Sequence, residues 1–148
     1  GQVAGAHASA RPSLRKIADA RDPAAAVPAL EALAKLDDRA DDARLVAAVD
    51  SPDGETVKAA ARALAFRAGT APAASRQAAL AALERALVDA RWDVRRQAAL
   101  ALADYGALPA LFARRGREQD PLVLQAIESA LEATTRGVLI KTPAGEDQ

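Results

Sequence analysis

The sequence predicts an all-α protein assembled from repeated helical hairpins, and three observations carry that expectation. Hydrophobic residues make up 51% of the 148, but aromatics only 3%, so Ala, Leu, Val and Ile must build the interior. Alanine is the strongest helix former, while β-branched residues are sparse and never alternate as a strand would require. The third observation is periodicity. Within 89–106, Val94, Ala98, Ala101 and Tyr105 recur at steps of four, three and four, which places them on one helix face. The same grammar opens on Ala26, Val57 and Val123, so the first stripe positions lie 31, 37 and 29 residues apart. Periods of this size mark a solenoid, in which one hairpin cannot bury its own apolar face and stacking completes the core.

Taken in order, residues 1–11 are small, polar and aperiodic, and are expected as a flexible N-terminal arm carrying His7, the one histidine. The opening GQVAGAHASA resembles the region beyond a signal cleavage site, which leaves localisation open. Pro12 is placed at the start of a first helix over about 12–20, with Leu14, Ile17 and Ala18 as its apolar face. Asp22-Pro23 starts a second, to about Leu36, with the stripe Ala26, Leu30 and Leu33. Pro28 conflicts with that helix, so either the helix begins nearer Val27 or its first turn is irregular. Asp37, Asp38, Asp41 and Asp42 lack the glycine bend of a calcium loop and are read as caps and dipole partners of the next helix.

Leu45, Ala48 and Val49 give a helix to about Asp50, and the turn Ser51-Pro52-Asp53-Gly54 starts the next. There Val57, Ala61, Leu64 and Ala68 repeat the pattern before Gly69. Leu80, Leu83 and Leu87 mark a helix over about 73–88, followed by the 89–106 stretch, with Asp89 as its cap and Gly106 as its stop. Leu108, Leu111 and Phe112 form a short helix with Pro109 in its first turn. Asp120-Pro121 starts the last one, where Val123, Ile127, Ala130 and Thr134 precede a stop at Gly137. The tail 138–148 opens with Val-Leu-Ile, apolar enough to fold back over the end of the stack. The domain expectation is therefore an arm 1–11, a repeat domain 12–137 and a tail 138–148.

The segment DARWDVRRQAALALADYG at 89–106 resembles the second helix of the short bacterial HEAT-like repeat family, of the type found in bilin lyases. SPDGETVKAAARALAFRAG at 51–69 matches with Lys58 where that pattern has arginine; DPLVLQAIESALEATTRG at 120–137 has Leu124 there, and 22–36 is the weakest unit. The resemblance implies a right-handed α-α superhelix of about four HEAT-like hairpins. It also implies a polar ladder between repeats, for which Asp89 and Arg95 fit best. Some relatives assist attachment of bilin chromophores, and no residue here singles that out.

Function classes are narrowed mainly by exclusion. Twenty basic and twenty acidic residues balance, ten of each in 1–70 and in 71–148, so no net field favours nucleic acid or an anionic membrane. Without cysteine there is no disulfide or thiolate site, and no apolar run reaches the length of a membrane span. No phosphate-cradling GxxxxGK, zinc-binding HExxH or nucleophile–histidine pairing occurs, so catalytic residues, metal ligands and a cofactor are not expected.

What the pattern offers is a surface. In the resembled family the second helices line a concave face, and the side opposite each stripe holds Glu31 and Lys35, then Ala59, Arg62 and Phe66, then Arg96, Ala99 and Ala103, then Gln125, Glu128 and Glu132. Phe66 is read as a contact anchor or as packing against a neighbouring repeat, and Trp92 as covering the end of a helix pair or as a partner contact. The expected function is a non-catalytic scaffold or adaptor that binds another protein through Arg62, Phe66, Trp92, Arg96, Gln125, Glu128 and Glu132. The alternative is nucleic-acid binding through the arginine clusters at 91–96 (Arg91, Arg95, Arg96) and 114–117 (Arg114, Arg115, Arg117). Against it stand Asp89, Asp93, Asp104, Glu118 and Asp120, interleaved among those arginines.

Overall fold

A computed structural model describes residues 2–19, 22–36 and 38–141, with side chains for 10–19, 22–36 and 38–137. Among these residues the protein is all-helical, with eight α-helices and no strand. They are α1 (Gln2–Ala18), α2 (Pro23–Lys35), α3 (Asp42–Ala48), α4 (Gly54–Arg67), α5 (Ala73–Ala86), α6 (Trp92–Asp104), α7 (Leu108–Arg115) and α8 (Pro121–Lys141). Short 3-10 turns at Arg39–Asp41 and Ala68–Thr70 precede α3 and follow α4.

The caps follow local chemistry. Asp22 accepts from the Ala24 N–H, and Asp53 accepts from the Thr56 N–H at 2.8 Å. Gly106, with φ 69°, adopts the left-handed conformation that turns the chain out of α6. Asp89 behaves differently from the expected cap. Its carboxylate accepts from the Arg91 N–H and the Arg91 guanidinium, and α6 begins at Trp92 with Arg91 as N-cap residue. A two-residue Asp turn competes successfully with capping at that position.

Helix boundaries differ at both ends of the chain. α1 begins at Gln2, well before the expected 12, and contains Pro12 in its interior. The alanine-rich residues ahead of Pro12 have enough helix propensity to tolerate one missing backbone donor. His7's side chain and Asp37 lie outside the described residues. Pro28 is likewise carried inside α2, which starts at Pro23. At the other end, α8 passes through Gly137 and its backbone continues through the Val-Leu-Ile run to Lys141, with no reversal. Glycine costs a helix only about 1 kcal/mol, less than a helix already anchored by packing can bear.

Packing is organised around the even-numbered helices. α2 touches α4, α4 touches α6, and α6 touches α8, while α1, α3, α5 and α7 each pack on the helix that follows them. The N-terminal ends of α4 and α6 are gathered by Lys58 Nζ, 2.8 Å from Asp93 Oδ2, and by Arg91 Nη1 donating to the Pro52 carbonyl at 3.0 Å. One contiguous core results, and the stripe residues Leu30, Leu33, Val57, Leu64, Val94, Ala98, Ala101, Tyr105, Val123 and Ile127 are all buried in it. Ala130 and Thr134 of the last stripe are only partly buried. Phe112 stands exposed, because α7's single buried anchor is Leu111.

Alanine governs how closely the helices approach. Ala59, Ala60 and Ala63 on α4, and Ala98, Ala99 and Ala101 on α6, are fully or nearly fully buried. Side chains of one carbon let neighbouring helices interdigitate at short range.

Candidate functional site: the outward faces of α4, α6 and α8

The expected binding row is only partly open. Ala59 and Ala99 are buried, correcting the expectation that they face solvent, and Ala103 is half-buried. α4 and α6 are each flanked by two even-numbered helices, so more of their circumference is covered than one stripe accounts for. Exposed along the row are Lys35, Arg62, Phe66, Arg96, Gln125, Glu128 and Glu132, and Trp92 beside it is exposed too. Phe66 is 68% exposed, so it does not pack against a neighbouring helix. Trp92, at the first turn of α6, is 45% exposed.

Charges on this face divide into paired and unpaired. Arg62 reaches back to Glu31 on α2 at 3.0 Å. Lys58 is held by Asp93 and Glu55, and the hydrogen bond to Asp93 is the main reason its pKa is raised. Among the described residues Arg96 has no carboxylate within ion-pair distance, and Glu128 has no cation. Glu132 is approached only by Arg136 of its own helix, at 3.8 Å and with both side chains largely exposed. An open groove of about 720 Å³ between α7 and α8 is lined by Glu128, Leu131, Glu132, Thr135 and Arg136 on one side and by Phe112 and Arg115 on the other.

The arginines of the nucleic-acid alternative are mostly engaged. Arg91 is paired with Asp89, which holds that carboxyl below its ordinary range. Arg95 and Arg114 both bind Glu118, at 3.0 and 2.9 Å. Arg115 lies 5.1 Å from the centre of the Phe112 ring. Burial alone would raise the Glu118 pKa, but hydrogen bonds from Arg95, the Asp120 N–H and Arg114 lower it to about 2. The expected Asp89–Arg95 ladder takes another form: Arg95 donates to the backbone carbonyls of Asp89 and Ala90 and directs its charge to Glu118.

Sequence reading missed the most deeply placed charges. Asp41 is fully buried against Arg15 at 2.6 Å and Arg44 at 3.2 Å. Asp42 is bound by Arg67 of α4, which is itself only 3% exposed, and Arg67 also donates to the Asp38 carbonyl at 2.8 Å. Capping accounts for Asp38, whose carboxylate accepts from the Ala40 N–H, while Asp41 and Asp42 serve as ion-pair hubs. No local pattern pointed to them: the partner arginines stand 26 residues before Asp41 and 25 after Asp42, and Arg95 stands 23 before Glu118, all shorter than the spacing between stripes.

Among the described residues no cluster of His, Asp or Glu is arranged to hold a metal ion, and no helix is long and apolar enough to cross a membrane. No family model, curated protein or solved structure matches the chain.

Proposed function

We propose that this chain is a non-catalytic protein-binding module, a right-handed solenoid of four HEAT-like hairpins from α1/α2 to α7/α8. In this reading the outward faces of α4, α6 and α8 take the partner. The successive contacts of α2, α4, α6 and α8 support the repeat architecture. The functional assignment is carried by one observation: Phe66 is 68% exposed, and Arg96, on the helix beside it, has no ion-pair partner among the described residues. Aromatic and arginine side chains dominate binding hot spots, because each combines a large contact area with directional polar chemistry. A shallow helical face adds a polar rim that steers approach.

Pull-down from the native host with the wild-type chain, Phe66→Ala and Arg96→Glu tests this. A specific protein retained by the wild type and lost from both variants is the expected result. Equal retention by all three would remove the row from consideration. A titration with mixed-sequence duplex DNA separates the other chemistry, since phosphate binding weakens steeply with salt. With Arg91, Arg95 and Arg114 already paired, no binding is expected even at low salt.

A further inference from the structure

We propose that the occupant of this face is an amphipathic helix of defined charge order, lying across α4, α6 and α8; this rests on the protein-binding reading and narrows the partner's chemistry. Phe66, Ala103 and Glu132 each follow the first stripe position of their helix (Val57, Val94, Val123) by nine residues. Nine residues are about two and a half turns, which carries them to the side opposite the buried stripe. Because α4 touches α6 and α6 touches α8, with N-terminal ends gathered by Lys58–Asp93 and Arg95–Glu118, the three positions fall in line.

Chemistry changes along that line. On α4 it is aromatic. On α6 it is the small Ala103, with Arg96, unpaired among the described residues, two turns or about 10 Å toward the N-terminus on the same side, so that its long side chain has to reach back to meet a carboxylate above Ala103. On α8 it is acidic, with Glu132 and Glu128 one turn apart. A complementary partner places an apolar residue over Phe66 and Ala103, a carboxylate at Arg96 and a cation at Glu128 and Glu132. Packed helices stand about 8–10 Å apart, and a helical partner rises about 1.5 Å per residue, so successive contacts lie about five to seven residues apart. Two turns bring all three groups to one face of such a helix. An extended chain would cover the same step in about three residues and point alternate groups away.

The test uses two tryptophan-free helical peptides of equal composition and about 20 residues. One carries Leu, Glu and Lys at seven-residue steps; the other carries Leu, Lys and Glu. Trp92 is the chain's only tryptophan and sits one turn before Arg96, so its emission reports occupancy directly. The Leu-Glu-Lys peptide should bind about tenfold tighter, with a blue shift of Trp92. Arg96→Glu should abolish the preference, since each peptide then meets one matched and one mismatched charge, and Phe66→Ala should weaken both peptides. Equal affinities, or binding of neither at about 1 mM, overturn the charge-ordered helix. If native proteins are still retained through Phe66 and Arg96 in that case, the protein-binding reading stands and only the partner's form is wrong. Circular dichroism of each variant checks that its helices are intact.

Discussion

Two buried acidic centres solve the same problem by different means. Asp41 and Asp42 each have a cation three residues away, Arg44 and Arg39, but their shortest contacts, to Arg15 of α1 and Arg67 of α4, come from distant helices. Glu118 is satisfied largely from nearby chain. The Gln119 and Asp120 N–H groups donate to it at 3.1 Å, Arg114 lies four residues back, and only Arg95 comes from a distant helix. A carboxylate cradled by its own loop keeps part of its stabilisation when tertiary packing loosens. One whose closest partners come from distant helices loses most of it at once.

The sharpest way to break this comparison is Arg67→Ala. Among the described residues it leaves the buried Asp42 with only Arg39, 3.8 Å away, to compensate it, and breaking a buried pair costs about 3–5 kcal/mol. Urea unfolding should show the drop, and a loss below about 1 kcal/mol would mean that α3 and α4 rearrange to rescue the acid.

Glu118→Gln tests the second centre and should cost less, about 3 kcal/mol at most near neutral pH, given a pKa lowered from 4.5 to about 2. Because the folded pKa lies below the unfolded one, this stabilisation is complete above about pH 4.5 and fades as pH falls toward about 2. The stability gap between wild type and variant should therefore be flat near neutrality and close across that acid window. A gap that persists at pH 2 would assign the effect to packing.

Tyr105 borders the first centre and probes its reach. Its hydroxyl donates to the Leu64 carbonyl at 2.9 Å, and burial, helped by the charge of Asp42, pushes its pKa up to about 12. The hydrogen bond should contribute about 1 kcal/mol, lost in Tyr105→Phe. Since the folded pKa is raised, the stabilisation is present below about pH 10 and lost as pH rises toward 12, where the ultraviolet signature of phenolate should first appear. A midpoint near 10 would show that the pocket is open to water.

The smallest effect belongs to the exposed Arg85–Asp50 pair at 3.1 Å. Asp50→Ala should change stability by less than about 0.5 kcal/mol, and moderate salt should erase the difference.

Helix identity was legible in sequence because it rests on local physics. The stripes at Val57, Val94 and Val123, the caps at Asp22 and Asp53 and the turn at Gly106 all lie where periodicity and turn chemistry put them. The open face was legible in part. Phe66 and Arg96 are exposed as the 100° rule expects, but Ala59 and Ala99 are not, because the rule knows nothing of neighbours on either flank. Ion-pair partners were the least legible. Asp89 and Arg95 look like natural mates at six residues' separation, but Arg95 turns its charge to Glu118 and Arg91 takes the Asp89 carboxylate.

By itself, then, the sequence determined that the chain is helical, where most helices start, and which stripe of each faces inward, since propensity, capping and amphipathic spacing act within a few residues. Tertiary structure alone decided which acids are buried, which arginines are spent on them, and that Ala59 and Ala99 are covered. Those outcomes depend on groups tens of residues apart competing for the same space, and no local pattern records who wins.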